Sequence, residues 1–152
     1  MGTLGTSLVL GLAVGGRSSV GLAAPLLLAT RGRTGAGPAA LRGVARAALV
    51  GEILLDKLPM TPSRLSRPQL TARVVAGGVG ALGLALVDRR SVGGAVVAVA
   101  AGAGGAWLGS HVGAAWRAWA AESGPSFVQP DSRAAAIEDA VVLGTLARLS
   151  RG

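Results

Sequence analysis

Glu52 and Asp56 stand four residues apart in an apolar, alanine-rich run. Lys57 follows, and Arg64 closes the stretch Gly51-Glu-Ile-Leu-Leu-Asp-Lys-Leu-Pro-Met-Thr-Pro-Ser-Arg64. Four-residue spacing puts both carboxylates on one helix face, where like charges repel and a nearby cation is needed. Lys57 projects about 100° further round the same helix. Arg17 and Arg73, also set among apolar residues, are the other cations able to serve. A second acid pair, Glu138 and Asp139, lies in another apolar segment. With Ser18 next to Arg17, and His111 in a glycine-rich run, these residues make up a candidate polar centre. Carboxylates in a desolvated site suit a proton or cation, and arginines suit an anionic group.

Four of the seven acids fall inside apolar helical segments. One such charge at a bilayer centre costs roughly 2.5–3.5 kcal/mol on insertion scales, so these acids must be paired, protonated or hydrated. A plainer reading stands beside this one. Glu52, Asp56 and Lys57 also fit a helix end snorkelling to water. Arg17 fits a surface turn, His111 a packing residue, and Glu138 and Asp139, only two turns into their helix, an interfacial position.

The composition excludes several classes. There is no cysteine and one histidine, hence no disulfide framework or thiolate, and no metal site built on the usual ligands. No Ser/His/Asp set or phosphate-binding loop is present, so an intramembrane enzyme ranks third, behind a transporter and a structural protein, and no cofactor is expected. The net charge is +8, but the arginines sit between apolar segments and stacking aromatics are scarce. That distribution suits membrane loops, not a nucleic-acid face.

Only 14% of the residues are charged and 51% are hydrophobic, with 25 glycines among 152 residues. Soluble domains carry about 25% charged residues. Small apolar residues suit helices packed closely in lipid. The expected elements are five. The first, 2–30, is either one long helix with Arg17 at its middle or two half-helices meeting at Gly15-Gly16-Arg17-Ser18-Ser19. Each half is too short to span, since a crossing needs roughly 20 residues. The second runs 39–58 and ends at Pro59 and Pro62. The third, 67–87, opens on a Ser66-x-x-Gln69 capping box. The fourth, 91–121, follows the polar hairpin Asp88-Arg89-Arg90. The fifth, 133–150, is capped by Asp131 or Ser132.

Ser7, Gly11 and Gly15 form one small-residue stripe, and Ala101, Gly105, Gly109 and Gly113 a stronger one. Both suit packing within one chain or a homo-oligomer. The basic loop Arg31–Arg46 is expected on the cytoplasmic side. Segments one and two (Arg17, Glu52) and segments four and five (His111, Glu138) hint at an inverted repeat of the kind found in transporters with a midplane site.

The run Gly-Arg17-Ser18, then Ala-Pro25-Leu, then Gly-Glu52-x-x-x-Asp56-Lys57-x-Pro59-x-x-Pro62-Ser63-Arg64, then Arg73-x-x-x-Gly77 and Ile-Glu138-Asp139-Ala resembles the bacterial membrane proteins called domain of unknown function 4126. The resemblance covers almost the whole chain, and Ser18-Ser19 departs mildly from its pattern. It implies an integral membrane protein of several helices and no particular activity.

The expectation is therefore a single all-α domain, 1–152: a polytopic helix bundle of the bacterial inner membrane, with the lipid bilayer as its surroundings. Its charged centre serves either a small ion or solute passing through, or the holding together of helices and partners.

Overall fold

In a computed structural model, residues 2–55, 65–129 and 131–151 are described. They form helices and turns, and among them there is no strand. The helices are α1 (Thr3–Gly16), α2 (Ser19–Ala29), α3 (Ala36–Leu55), α4 (Arg67–Val87), α5 (Val92–Glu122) and α6 (Asp131–Arg151).

The first expected segment is two half-helices. Arg17 takes an extended conformation (φ −140°, ψ 116°), which ends α1, and α2 starts two residues later. Glycines set the direction of each half by where their missing Cβ would fall. A Cβ at Gly11 would strike Gly102, Gly105 and Ala106, and one at Gly15 would strike Gly109 and Ser110, so α1 runs parallel to α5. Gly21 lies against Ala76, Gly80 against Gly21, and Gly83 against Pro25, so α2 runs parallel to α4. The three-residue turn Asp88–Arg90 makes α4 and α5 antiparallel. It follows that α2 runs back against α1. Residues 3–29 enter and leave the bundle from one end, as a helical hairpin with its tip at Arg17 and Ser18.

At 1.5 Å per residue the two arms are about 21 and 16 Å long, against about 31 Å for α4 and 46 Å for α5. The α1–α5 contact brings the two small-residue stripes of the sequence together within one chain, with Ser7, Gly102, Gly105 and Gly109 all buried. α3 starts beside the C-terminus of α2, where Arg42 donates to the Thr30 and Arg33 carbonyls at 3.1 and 3.0 Å. It runs antiparallel to α2 and brings Glu52 to the tip. α6 starts beside the end of α5, where the Trp116 indole N–H donates to the Ala134 carbonyl at 3.3 Å. It then returns past the tip. The main core gathers Leu10, Val14, Val20, Leu49, Leu84, Val142 and Leu146 from five of the helices.

About five hydrophobic segments were expected in the membrane, and among the described residues two helices, α4 and α5, are long and apolar enough to cross one. The reason is physical: α1 and α2 are too short, α3 carries Arg42, Arg46 and Glu52, and α6 carries five charges between Arg133 and Arg151. Within their apolar windows only 39% of α4 and 22% of α5 is buried. Ser66 sits at the N-cap of α4 but its hydroxyl makes no capping hydrogen bond, so the expected capping box does not form. Ser91 instead caps α5, accepting from the Gly94 N–H at 3.2 Å.

Candidate functional site

A helix that stops leaves carbonyls without partners, and one that starts leaves N–H groups without partners. At the hairpin tip both kinds occur within four residues. The carbonyls of Gly15 and Gly16 end α1, and the N–H groups of Ser18 and Ser19 begin α2. Each is satisfied by a side chain from another helix.

Arg73 of α4, only 5% exposed, donates through Nη1 to the Gly15 and Gly16 carbonyls at 2.9 and 2.7 Å. This places a cation at the negative end of α1, as the helix dipole favours. Ser110 of α5, fully buried, lies with its hydroxyl 3.4 Å from the Gly15 carbonyl and 2.8 Å from that of Ala106. Glu52 of α3 covers the positive end of α2. Its Oε1 accepts from the Ser18 N–H at 2.9 Å and the Ser18 hydroxyl at 2.8 Å, and its Oε2 accepts from the Ser19 N–H at 2.7 Å. An ionised carboxylate only accepts, so this set of donors matches its valence. Arg73 Nη2 stands 3.7 Å from Glu52 Oε1 and links the two caps.

Arg17, at the tip itself and 5% exposed, turns to α6. Its Nε donates to Asp139 Oδ1 at 2.7 Å, with Nη2 at 2.5 Å from the same oxygen. Next to Asp139, Glu138 meets Arg117 of α5 at 3.8 Å. A Cβ on Gly16 would come within 3.5 Å of Glu138 Oε1. Three carboxylates and three guanidiniums thus surround one backbone break, contributed by the tip, α3, α4, α5 and α6.

An open-sided cleft of about 510 Å³ reaches this centre between α2 and α3, lined by Ser18, Ser19, Ala47, Ala48, Gly51 and Glu52. Its floor is the Glu52 carboxylate on the α2 N-terminus, and its walls are alanine and glycine.

Of the residues singled out in the sequence, the structure brings together Arg17, Ser18, Glu52, Arg73, Glu138 and Asp139. Asp56, Lys57 and Arg64 lie outside the described residues. His111 stands apart: its Nδ1 is 2.8 Å from the Trp107 carbonyl of its own helix, and its ring lies 4.2 Å from the Trp107 ring. α5 runs unbroken past His111, so the second half has no counterpart to the break at Arg17. Sequence reasoning missed Ser19, Ser110 and Arg117 as members of the centre. Arg117 carried a signal, since Glu138 needed a cation and Arg117 is a charge near the end of the longest apolar run. Ser110 carried none. Among the described residues no group of three or more acids and histidines is arranged to hold a metal ion.

No family model, curated protein or solved structure matches this chain. The motifs quoted above are therefore the whole support for the family resemblance.

Proposed function

We propose that this is a multi-pass protein of the bacterial inner membrane, a member of the family its motifs resemble, and that its hairpin tip forms a pathway for a small ion or solute. The observation that carries the reading is the broken helix itself. A continuous helix satisfies its own backbone, whereas the backbone at this break is satisfied by Arg73 and Glu52, with two further ion pairs beside it. Non-helical backbone at membrane depth is tolerated where protein encloses it or a wet cavity meets it; side chains of neighbouring helices cap this break, and an open-sided cleft lies beside it. Short half-helices meeting at a charged centre are the usual way transporters build a site.

Two further observations support the membrane setting. Most of the apolar surface of α4 and α5 faces outward: Val79, Leu86, Val92 and Val96 are each more than 60% exposed. Charge is also asymmetric. Arg31, Arg33, Arg42, Arg46, Arg89 and Arg90 gather at the end where the hairpin opens, opposed by Asp88 alone, while the other end has Arg67 and Arg133 with Glu122 and Asp131 among the described residues. An excess of arginine marks the cytoplasmic side, which orients the hairpin as entering from the cytoplasm.

The test is flux in sealed vesicles carrying the purified protein, with pH-sensitive and ion-sensitive dyes reporting protons, potassium, sodium and chloride. The wild type passes at least one of them faster than empty vesicles, and Glu52→Gln abolishes this in protein that still folds, at a stability cost of only about 1–2 kcal/mol. Flux untouched by Glu52→Gln removes the tip from the pathway.

The complete mutual satisfaction of the tip favours a second reading, in which the charges only lock the helices together. It predicts that Glu52→Gln lowers stability and that neither protein conducts.

A further inference from the structure

The basic end has a shape that the charged centre does not account for. Pro25 of α2 lies against Gly83 of the parallel helix α4. Five residues further on, the chain reaches Thr30 and Asp88 respectively, so the loop 30–35 and the turn 88–90 share one level. Arg42 ties the start of α3 to this level through the Thr30 and Arg33 carbonyls. Arg31, Arg33, Arg46, Arg89 and Arg90 are all exposed there. Arg89 holds a left-handed backbone (φ 53°), a conformation that side chains other than Asn, Asp and His seldom adopt. Arg90 pairs with Asp88 at 3.2 Å, the one acid in the group.

On the ends of α4 and α5 that flank this turn stand exposed aliphatic side chains: Leu86 (67% exposed), Val92 (84%) and Val96 (63%). The surface is thus cationic at its rim and apolar beneath it. Its complement is a molecule with an anionic head and hydrocarbon tails. Guanidinium forks bind phosphate oxygens in a bidentate way, and basic clusters at the cytoplasmic edge of spanning helices attract anionic headgroups.

We infer that this rim is a binding site for an anionic phospholipid, its phosphate held by Arg31, Arg33, Arg89 and Arg90 and its acyl chains laid along Leu86, Val92 and Val96. The inference rests on the membrane reading above. A lipid held here would brace the opening of the hairpin, because Arg31 and Arg33 follow directly on its second arm.

The test uses the full chain, purified in a neutral detergent and titrated with phosphatidylglycerol or phosphatidylcholine of the same chain length. Bound lipid is read by native mass spectrometry and stabilisation by thermal melting. Phosphatidylglycerol should bind at least about tenfold more tightly than phosphatidylcholine. The combined variant Arg31→Gln, Arg33→Gln, Arg89→Gln, Arg90→Gln should bring that ratio to within about twofold of one, and Arg67→Gln with Arg133→Gln at the other end should keep it. Equal binding of the two lipids overturns the site. Equal stabilisation by inorganic phosphate or by a short DNA duplex overturns the lipid as its occupant. If the fourfold variant does not fold, the lipid ratio of Arg89→Gln alone decides, with no change counting against the site. Failure of the membrane reading shows separately, as wild-type protein released from membranes into buffer without detergent.

Discussion

Replacing Glu52 by alanine tests the account of the hairpin tip most directly. The substitution removes an acceptor of three hydrogen bonds of 2.7–2.9 Å from Ser18 and Ser19. It also removes a carboxylate 3.7 Å from the buried Arg73. A hydrogen bond to a charged group contributes about 1.5–3 kcal/mol, and breaking a buried ion pair by deleting one partner costs about 3–5 kcal/mol. These do not add, because they share one carboxylate. The cleft beside Glu52 also admits water, which takes over part of the exposed N–H groups. Arg73 keeps its two carbonyl partners, Gly15 and Gly16. The expected loss is therefore at the lower end, about 3–4 kcal/mol. Glutamine retains the shape and one oxygen, but its NH₂ must face a backbone donor, so Glu52→Gln should lose about 1–2 kcal/mol. Reversible unfolding in mixed micelles, followed by helicity, measures both. A Glu52→Ala protein within about 0.5 kcal/mol of wild type would refute the reasoning, since a helix start capped by water alone would then serve as well.

Three other outcomes follow from the structure. Gly15→Ala should destabilise by about 1–3 kcal/mol, since its Cβ would lie 2.5 Å from Gly109 C and Ser110 N. Gly104→Ala, with nothing within 4 Å of the new atom, should stabilise by up to about 1 kcal/mol through helix propensity; the same unfolding measurement compares them, and similar effects would contradict the α1–α5 contact. Arg17→Lys should weaken the tie to α6 nearly as much as Arg17→Gln, because one ammonium cannot reproduce a two-nitrogen contact with Asp139; protease nicking at the 123–129 loop, faster in both variants, would show it. The chain has no native cysteine, so Leu4→Cys, Thr34→Cys and Ser126→Cys can be labelled singly with a membrane-impermeant reagent in oriented vesicles. The hairpin requires the first two on one side and the third on the other, whereas labelling of Leu4→Cys and Thr34→Cys from opposite sides would mean that the first segment crosses.

Much of the helical framework was legible in the residues. Proline, glycine and charge punctuate it so sharply that α4 occupies the 67–87 expected of it, and the turn Asp88–Arg90 falls where the charges do. The break at Arg17 could be read only as one of two arrangements, because a short apolar stretch with an arginine is compatible with a kinked helix or a turn. What decided it was the pairing of Gly11 and Gly15 with α5 and of Gly21 with α4. Direction between helices is a property of packing, and no periodicity in 2–30 encodes it. The acids pointed to a shared centre because carboxylates among alanines need partners. They could not show that those partners include backbone N–H groups, which every residue carries. His111 drew attention as the single histidine, yet it is satisfied by its own helix, where a carbonyl one turn back is always within reach.

The bond between Arg17 and Asp139 joins residues 122 apart in sequence, and this bears on how the protein is made. The hairpin leaves the ribosome before its caps, which arrive in order: Glu52, then Arg73, Ser110 and finally Asp139. On the membrane reading proposed above, its tip would until then expose bare carbonyls, N–H groups and a guanidinium to hydrocarbon, each costing several kcal/mol. The early chain has reason to wait at the membrane surface, held by the arginines of its own loop, while later helices insert. A chain truncated before α6 would leave Arg17 without Asp139 and should be handed to quality-control proteases. A segment translated before all of its partners would then settle only after them.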